Sequence, residues 1–178
     1  PAIDLLRENE LKLPIDIFKK NRGVGEVLDI NNEYIICLQH PVTTEYIHAE
    51  EQMIETLQAI QIVIMRSNIQ VVYLWPNIDA GSDEMSKVIR RYRETKDLRN
   101  IQFFRNFSPT LYAALLNNCK CIMGNSSSGI RESAFLGVPC VNIGNRQQGR
   151  ERGPNVIDVP NDANQIADAV MKQIKKGK

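Results

Sequence analysis

Short apolar runs alternate with longer amphipathic stretches along the chain. Tyr34 to Gln39 reads Tyr-Ile-Ile-Cys-Leu-Gln, almost wholly apolar, and predicts a strand covered on both faces before His40-Pro41 stops it. Residues 49–66 carry Met53, Leu57, Ile60 and Ile64 at helical spacing and predict an amphipathic helix. The pattern then repeats. A strand over Val71 to Trp75 ends at Pro76, and a helix from Asp83 to Thr95 opens on the capping-prone, acidic Ser82-Asp83-Glu84. Ile101 to Phe104 is a third strand, and Ser108 caps a helix with Pro109 in its first position. Cys121-Ile122-Met123 is strand four, after which Gly124 turns the chain into a helix running through Gly137. Val138 to Ile143 and Asn155 to Val159 are strands five and six, and Ile166, Val170 and Ile174 mark a closing helix. Residues 1–32 are interrupted by Pro1, Pro14, Gly23 and Gly25, which predicts an opening segment of short helices and loops.

Strands alternating with helices at this spacing call for βαβ units. The expected fold is therefore a doubly wound α/β domain with a mainly parallel sheet, one domain over residues 1–178. In open parallel sheets, ligands bind beyond the carboxyl ends of the strands. The segments just past the strands are His40-Pro41-Val42-Thr43-Thr44-Glu45, Pro76-Asn77-Ile78-Asp79-Ala80-Gly81-Ser82, Arg105-Asn106-Phe107-Ser108, Gly124 to Gly129, and Gly144 to Arg150. All five are polar, small or basic, and one sheet edge collects them. That edge is the expected site of a polar ligand.

The Gly124-Asn125-Ser126-Ser127-Ser128-Gly129 turn offers backbone N–H groups, hydroxyls and a helix N-terminus, a combination suited to phosphate. An ordinary Ser-capped helix would read the same way. No Gly-Lys-Ser/Thr follows it, and it is not a Gly-x-Gly-x-x-Gly turn. Glu132, about one and a half turns into the expected helix, could accept from a pair of sugar hydroxyls or could be a dipole-favoured glutamate paired to Arg131 or Arg146. Arg146, Arg150 and Arg152 crowd one loop, where they are either phosphate forks or a solvated run. His40, at a strand's carboxyl end, could be an acid, a phosphate donor or a structural histidine. Cys119-Lys120-Cys121 lacks further metal-ligating neighbours in sequence and reads as packing.

Composition narrows the class. The 178 residues carry 22 Lys+Arg against 21 Asp+Glu, a formal net charge of +1, which argues against a nucleic-acid partner. No apolar run approaches membrane-spanning length, so no membrane partner is expected. Residues 1–15 lack a secretory layout, and all four cysteines lie in or beside apolar stretches, which points to a cytoplasmic protein with reduced thiols. The absence of an initial Met raises the expectation of a segment from a longer polypeptide.

The His40–Thr44, Pro76–Ser82, Gly124–Glu132 and Gly144–Glu151 motifs together resemble the UDP-N-acetylglucosamine 2-epimerases, the hydrolysing, sialic-acid-type branch in particular. The resemblance implies the carboxyl-terminal half of a glycosyltransferase-B-type enzyme, with a Rossmann-like sheet and no cofactor or metal. It also implies an amino-terminal domain facing it across a UDP-N-acetylglucosamine cleft, and a homo-oligomeric whole. Carried over by motif, Ser126 and Ser127 would hold the diphosphate and Glu132 the ribose hydroxyls. Arg146, Asn77 and His40 would contact phosphate or sugar, His40 in a catalytic role, and Phe107 would lie by the uracil. The implied reaction removes the C2 proton, expels UDP from C1 to leave a 2-acetamidoglycal, and adds water to give N-acetylmannosamine. The non-hydrolysing branch has a Gly-His-Arg-Arg-Glu-type segment where this chain has Leu38-Gln39-His40-Pro41-Val42, a departure that favours hydrolysis.

Overall fold

The apolar runs pair laterally into one seven-stranded sheet. The computed structural model describes Asp4, Leu6 and residues 11–178. Its strands are β1 (Val24–Gly25), β2 (Tyr34–Leu38), β3 (Gln70–Leu74), β4 (Ile101–Phe104), β5 (Ile122–Gly124), β6 (Cys140–Ile143) and β7 (Val156–Val159). The helices are α1 (Ile17–Lys20), α2 (Ala49–Ser67), α3 (Ser82–Thr95), α4 (Pro109–Asn118), α5 (Glu132–Leu136) and α6 (Ala163–Lys176), with 3-10 turns over Thr43–His48 and Ser127–Gly129. The strand order is β1-β4-β3-β2-β5-β6-β7. Every pairing is parallel except β1 against β4. This is the doubly wound arrangement expected from the strand–helix alternation.

Both sheet faces are covered, which is why the central strands read as unbroken apolar runs rather than alternating ones. Successive side chains point to opposite faces. Ile35 and Cys37 join α2, α3 and α6 in one core with Met53, Ile60, Ile89 and Ile166. Tyr34 and Ile36 join the other core with Phe18, Leu115, Leu116 and Val138. Helix ends follow local chemistry. Ser108 Oγ accepts from Leu111 N at 3.3 Å ahead of α4, Asp162 Oδ1 accepts from Gln165 N at 2.8 Å ahead of α6, and α2 stops at a left-handed Asn68.

Two features depart from the pattern reading. The antiparallel edge strand β1 spans two residues, too short for any periodicity to register. Buried glutamines stitch the segment after it to the sheet edge: Gln102 Oε1 accepts from Leu28 N at 3.1 Å and Gln70 Oε1 from Asp29 N at 2.7 Å. The single helix expected from Gly124 to Gly137 is instead a 3-10 turn followed by the five-residue α5. The remainder of the expected opening segment within residues 1–10 lies outside the described residues. No helix among the described residues is long and apolar enough to cross a membrane.

Candidate functional site

At the centre of the sheet, β2 and β5 run side by side while their connections depart to opposite faces. That is the topological switch point of a doubly wound sheet, where a crevice opens. Leu38 lies opposite Gly124 in register there. A Cβ on Gly124 would sit 2.0 Å from Leu38 O, and its φ is +132°. Only glycine lets the two chain segments approach this closely. Immediately beyond it, the buried Asn125 bridges the strand ends: its Oδ1 accepts from His40 N at 2.7 Å and its Nδ2 donates to His40 O at 2.8 Å.

His40 is 5% exposed, and its Nδ1 accepts the Asn77 backbone N–H at 3.0 Å. With Nδ1 occupied as an acceptor, a neutral ring carries its proton on Nε2. Burial first, then the neighbouring Arg146 guanidinium, push the imidazole down to about 4 against the opposing pull of Asp79. At neutral pH His40 is therefore an uncharged hydrogen-bond donor.

Strand β5 hands over to three serines. Ser126 Oγ accepts from Ser128 N at 3.3 Å, and backbone bonds from Gly129 N to Ser126 O and from Ile130 N to Ser127 O tighten the turn into 3-10 geometry. Tyr112 fastens it from α4, donating its hydroxyl to Ser128 Oγ at 2.7 Å, while burial pushes that hydroxyl's pKa up. The Ser127 hydroxyl makes no hydrogen bond among the described residues. The tightened turn moves Glu132 from the expected second turn of a helix to the first residue of α5. Glu132 pairs with neither Arg131 nor Arg146, and its Oε2 is buried without a hydrogen-bond partner. A buried, unpartnered carboxylate oxygen is costly unless a donor arrives.

Past β6 the three arginines separate. Arg146 turns inward and donates Nη1 to Asn125 O at 3.2 Å, leaving its other N–H groups unspent. Arg152 pairs with Asp158 at 3.1 Å and caps the Gln147 carbonyl at 2.7 Å, so it is a fastener rather than a ligand group. Arg150 is exposed. His48, with no partner evident in the sequence, lies 3.4 Å from Glu51 at the start of α2.

These segments enclose an open cleft of about 380 Å³. All seven residues picked from the sequence line it: His40, Asn77, Phe107, Ser126, Ser127, Glu132 and Arg146. Leu38, Leu74, Trp75 and Phe107 make its apolar wall, with the Phe107 ring 4.8 Å from that of Phe104. Asn125, Gln147 and Tyr112 escaped the sequence reading as functional candidates. An Asn directly after a strand reads as turn chemistry, and nothing in the spacing shows that its side chain reaches another loop. The cleft has the makings of a phosphate and hydroxyl site: two guanidiniums, the anchored Arg146 and the exposed Arg105, a neutral imidazole donor, serine hydroxyls and an acceptor awaiting donors.

Residues 2–178 match the family described as UDP-N-acetylglucosamine 2-epimerase. The chain belongs to that epimerase family. A UDP-N,N'-diacetylbacillosamine 2-epimerase (hydrolyzing) from Legionella pneumophila is 34% identical over 144 residues, 81% of this chain and 35% of the relative. A UDP-N-acetylglucosamine 2-epimerase from Neisseria meningitidis is 29% identical over 145 residues, 82% of this chain and 36% of the relative. The chain thus spans about a third of the length of the curated relatives it matches. The crystal structure of Methanocaldococcus jannaschii UDP-GlcNAc 2-epimerase in complex with UDP-GlcNAc and UDP superposes with a TM-score of 0.65 at 13% identity, covering 97% of this chain and 44% of that one. That likeness is one of fold, the Rossmann-like sheet of glycosyltransferase-B-type epimerases.

Proposed function

We propose that this epimerase-family chain is the nucleotide-holding, carboxyl-terminal half of a hydrolysing UDP-amino-sugar 2-epimerase. The observation that carries the reading is the convergence on one cleft of Ser126, Ser127, Arg146 and neutral His40 with the unpartnered Glu132 Oε2. The serine turn and Arg146 hold the diphosphate, Glu132 accepts from the ribose hydroxyls, and Phe107 flanks the uracil. Asn77 and His40 line the passage from phosphate to sugar.

The reaction starts with removal of the proton from C2 of UDP-N-acetylglucosamine. The C–H electron pair becomes the C1–C2 double bond as the C1–O bond breaks, and UDP departs with that bond's electrons. Water then adds across the double bond, OH to C1 and H to C2 on the opposite face, releasing N-acetylmannosamine. Charge grows on the leaving diphosphate, so donors already aimed there lower the barrier. Arg146 supplies the cation. His40 supplies its Nε2–H as a hydrogen bond rather than as a transferred proton, because its ring is neutral and its conjugate acid titrates near 4. The base at C2 belongs to an amino-terminal domain of the same enzyme on this reading, since the cleft's own carboxylate, Glu132, is engaged by ribose. No cofactor or metal is needed, and the four buried thiols, all pushed up by burial, suit a reducing cytoplasm.

Hydrolysis is favoured over interconversion by the Gln39-His40-Pro41-Val42 segment and by the name of the Legionella relative. The test is proton NMR of the whole protein with UDP-N-acetylglucosamine and no acceptor. Free UDP and N-acetylmannosamine appearing together are the expected result. UDP-N-acetylmannosamine in their place, or turnover that waits for a sugar acceptor, would overturn it.

A further inference from the structure

Segments following four different strands are joined by hydrogen bonds that run through one buried residue, Asn125, and its neighbour His40. Asn125 is 1% exposed. Its carboxamide takes both backbone groups of His40, the N–H at 2.7 Å and the C=O at 2.8 Å, and so continues the β2–β5 ladder past Gly124. Its own C=O accepts from Arg146 Nη1 at 3.2 Å and Gln147 Nε2 at 2.9 Å. His40 passes the connection on to the segment after β3, through Nδ1 and the Asn77 N–H at 3.0 Å. A chain of hydrogen bonds therefore crosses the crevice from Asn77 to Gln147.

We propose that Asn125 is a positioning residue. It sets the His40 imidazole and the Arg146 guanidinium in one fixed arrangement before a ligand arrives, without touching the ligand. The identity of that ligand as a nucleoside diphosphate rests on the proposed function; the clamp does not.

Two physical points favour this role. First, the two donors it holds sit close enough for the Arg146 guanidinium to disfavour the charged form of the His40 imidazole, against the pull of Asp79. Only a rigid holder keeps such donors side by side at no ordering cost on binding. Second, the job requires a donor and an acceptor on one short arm. Asp lacks the donor, Leu lacks both, and Gln is longer by a methylene.

The experiment is imidazole ¹⁵N NMR on the whole protein, with His40 assigned by the loss of its signals in His40→Asn. In the unaltered protein His40 should read as the neutral, Nε2-protonated ring through the neutral range. Its backbone amide should exchange with D₂O as slowly as strand amides, although it lies beyond β2. Asn125→Ala keeps the backbone carbonyl that Arg146 uses but frees the His40 segment, so it should mix the two ring tautomers, raise the His40 titration midpoint toward that of an ordinary histidine, and raise the UDP dissociation constant about tenfold, as for one misplaced donor to the ligand.

Ser133→Ala is the control. Ser133 is as buried and bonds to Gly129 and Asn155, but has no bond to the His40 segment, so it should lose stability with the His40 spectrum unmoved. Loop-rate exchange of the His40 amide overturns the clamp even if Asn125→Ala fails to fold. So does an unchanged His40 spectrum in Asn125→Ala, unchanged UDP affinity in that variant, or an equal shift in Ser133→Ala. If His40 responds to Asn125→Ala but the unaltered protein does not bind UDP, the clamp survives and the proposed ligand falls.

Discussion

Arg146 and Arg152 leave β6 on the same loop and end in different surroundings. Arg146 commits one N–H to Asn125 O and turns the rest of its guanidinium to the cleft. Arg152 spends itself on Asp158, Gln147 O and Arg150 O, while Asn142 Nδ2 takes the other side of Asp158 at 2.7 Å. Between the two, the local fold leaves the same residue type with unspent N–H groups in one place and makes it a fastener in the other. The difference lies in the acceptors within reach. Around Arg152 a carboxylate and two carbonyls are ready; Arg146 bonds one carbonyl only and forms no ion pair with Glu132, the carboxylate that lines the same cleft. A guanidinium with most of its N–H groups unspent is poised for an anion that comes from outside.

Four tests, using six substitutions, would break or sharpen this contrast. The largest effect is expected from Gly124→Ala, which removes the common support of both regions. A Cβ 2.0 Å from Leu38 O at φ +132° cannot be absorbed by a side-chain shift. A loss of at least about 3 kcal/mol in urea unfolding is expected, and a change under ~1 kcal/mol would refute the close approach.

Next is the acid limb of stability. His40 is held at about 4 in the fold against an ordinary 6.5, so the unfolded chain binds the proton more readily. The stability that neutral His40 contributes is complete above pH 6.5 and is lost as pH falls toward 4. This amounts to roughly 2–3 kcal/mol, and His40→Asn should flatten that limb. Denaturant titrations at stepped pH would show it, and an identical slope in the variant would remove His40 as its cause.

The arginine pair comes third. Arg146→Ala should weaken UDP binding by roughly 1–3 kcal/mol with little change in unfolding, and Ser127→Ala should act in the same direction. Arg152→Ala should reverse the pattern, losing about 1 kcal/mol of stability and leaving UDP affinity near its original value. Calorimetry and urea melts on both variants test the contrast, and matching profiles for the two arginines would dissolve it.

The smallest effect is expected at Glu132. Glu132→Gln keeps the shape and removes an unpartnered buried carboxylate oxygen, so stability should hold within about 0.5 kcal/mol. UDP should lose its advantage over 2'-deoxy-UDP in a competition titration. Undiminished discrimination would take the ribose away from Glu132.

Much of the architecture was legible because apolar runs and helical spacing report directly on what a segment must bury. Tyr34–Leu38 and Ala49–Ser67 fall where their patterns place them. The Ser108 cap and Pro109 start are chemistry local to a few residues, and local chemistry survives folding. The edge strand Val24–Gly25 did not show, because two residues carry no period and their pairing depends on a distant strand. The serine turn was misjudged for a related reason. Its residues suit a helix start, yet Gly129 packs against Cys140 and Tyr112 grips Ser128, and these contacts impose a 3-10 turn. Glu132 moved with it.

The pattern of side chains dictated the layers, the parallel sheet and which loops gather on one edge, since burial and local capping are properties of short segments. It also marked the serine turn, Glu132, Arg146 and His40, because their types advertise phosphate and hydroxyl chemistry, while Asn77 and Phe107 came only with the motif resemblance. Only the folded chain could say which of those groups remain unspent. Whether Arg146 or Arg152 finds an acceptor, whether Glu132 Oε2 is left unpartnered, and which ring nitrogen of His40 is occupied depend on atoms tens of residues away. Hydrogen bonds are satisfied by position in space, and the chain sets that position only when the whole sheet has closed.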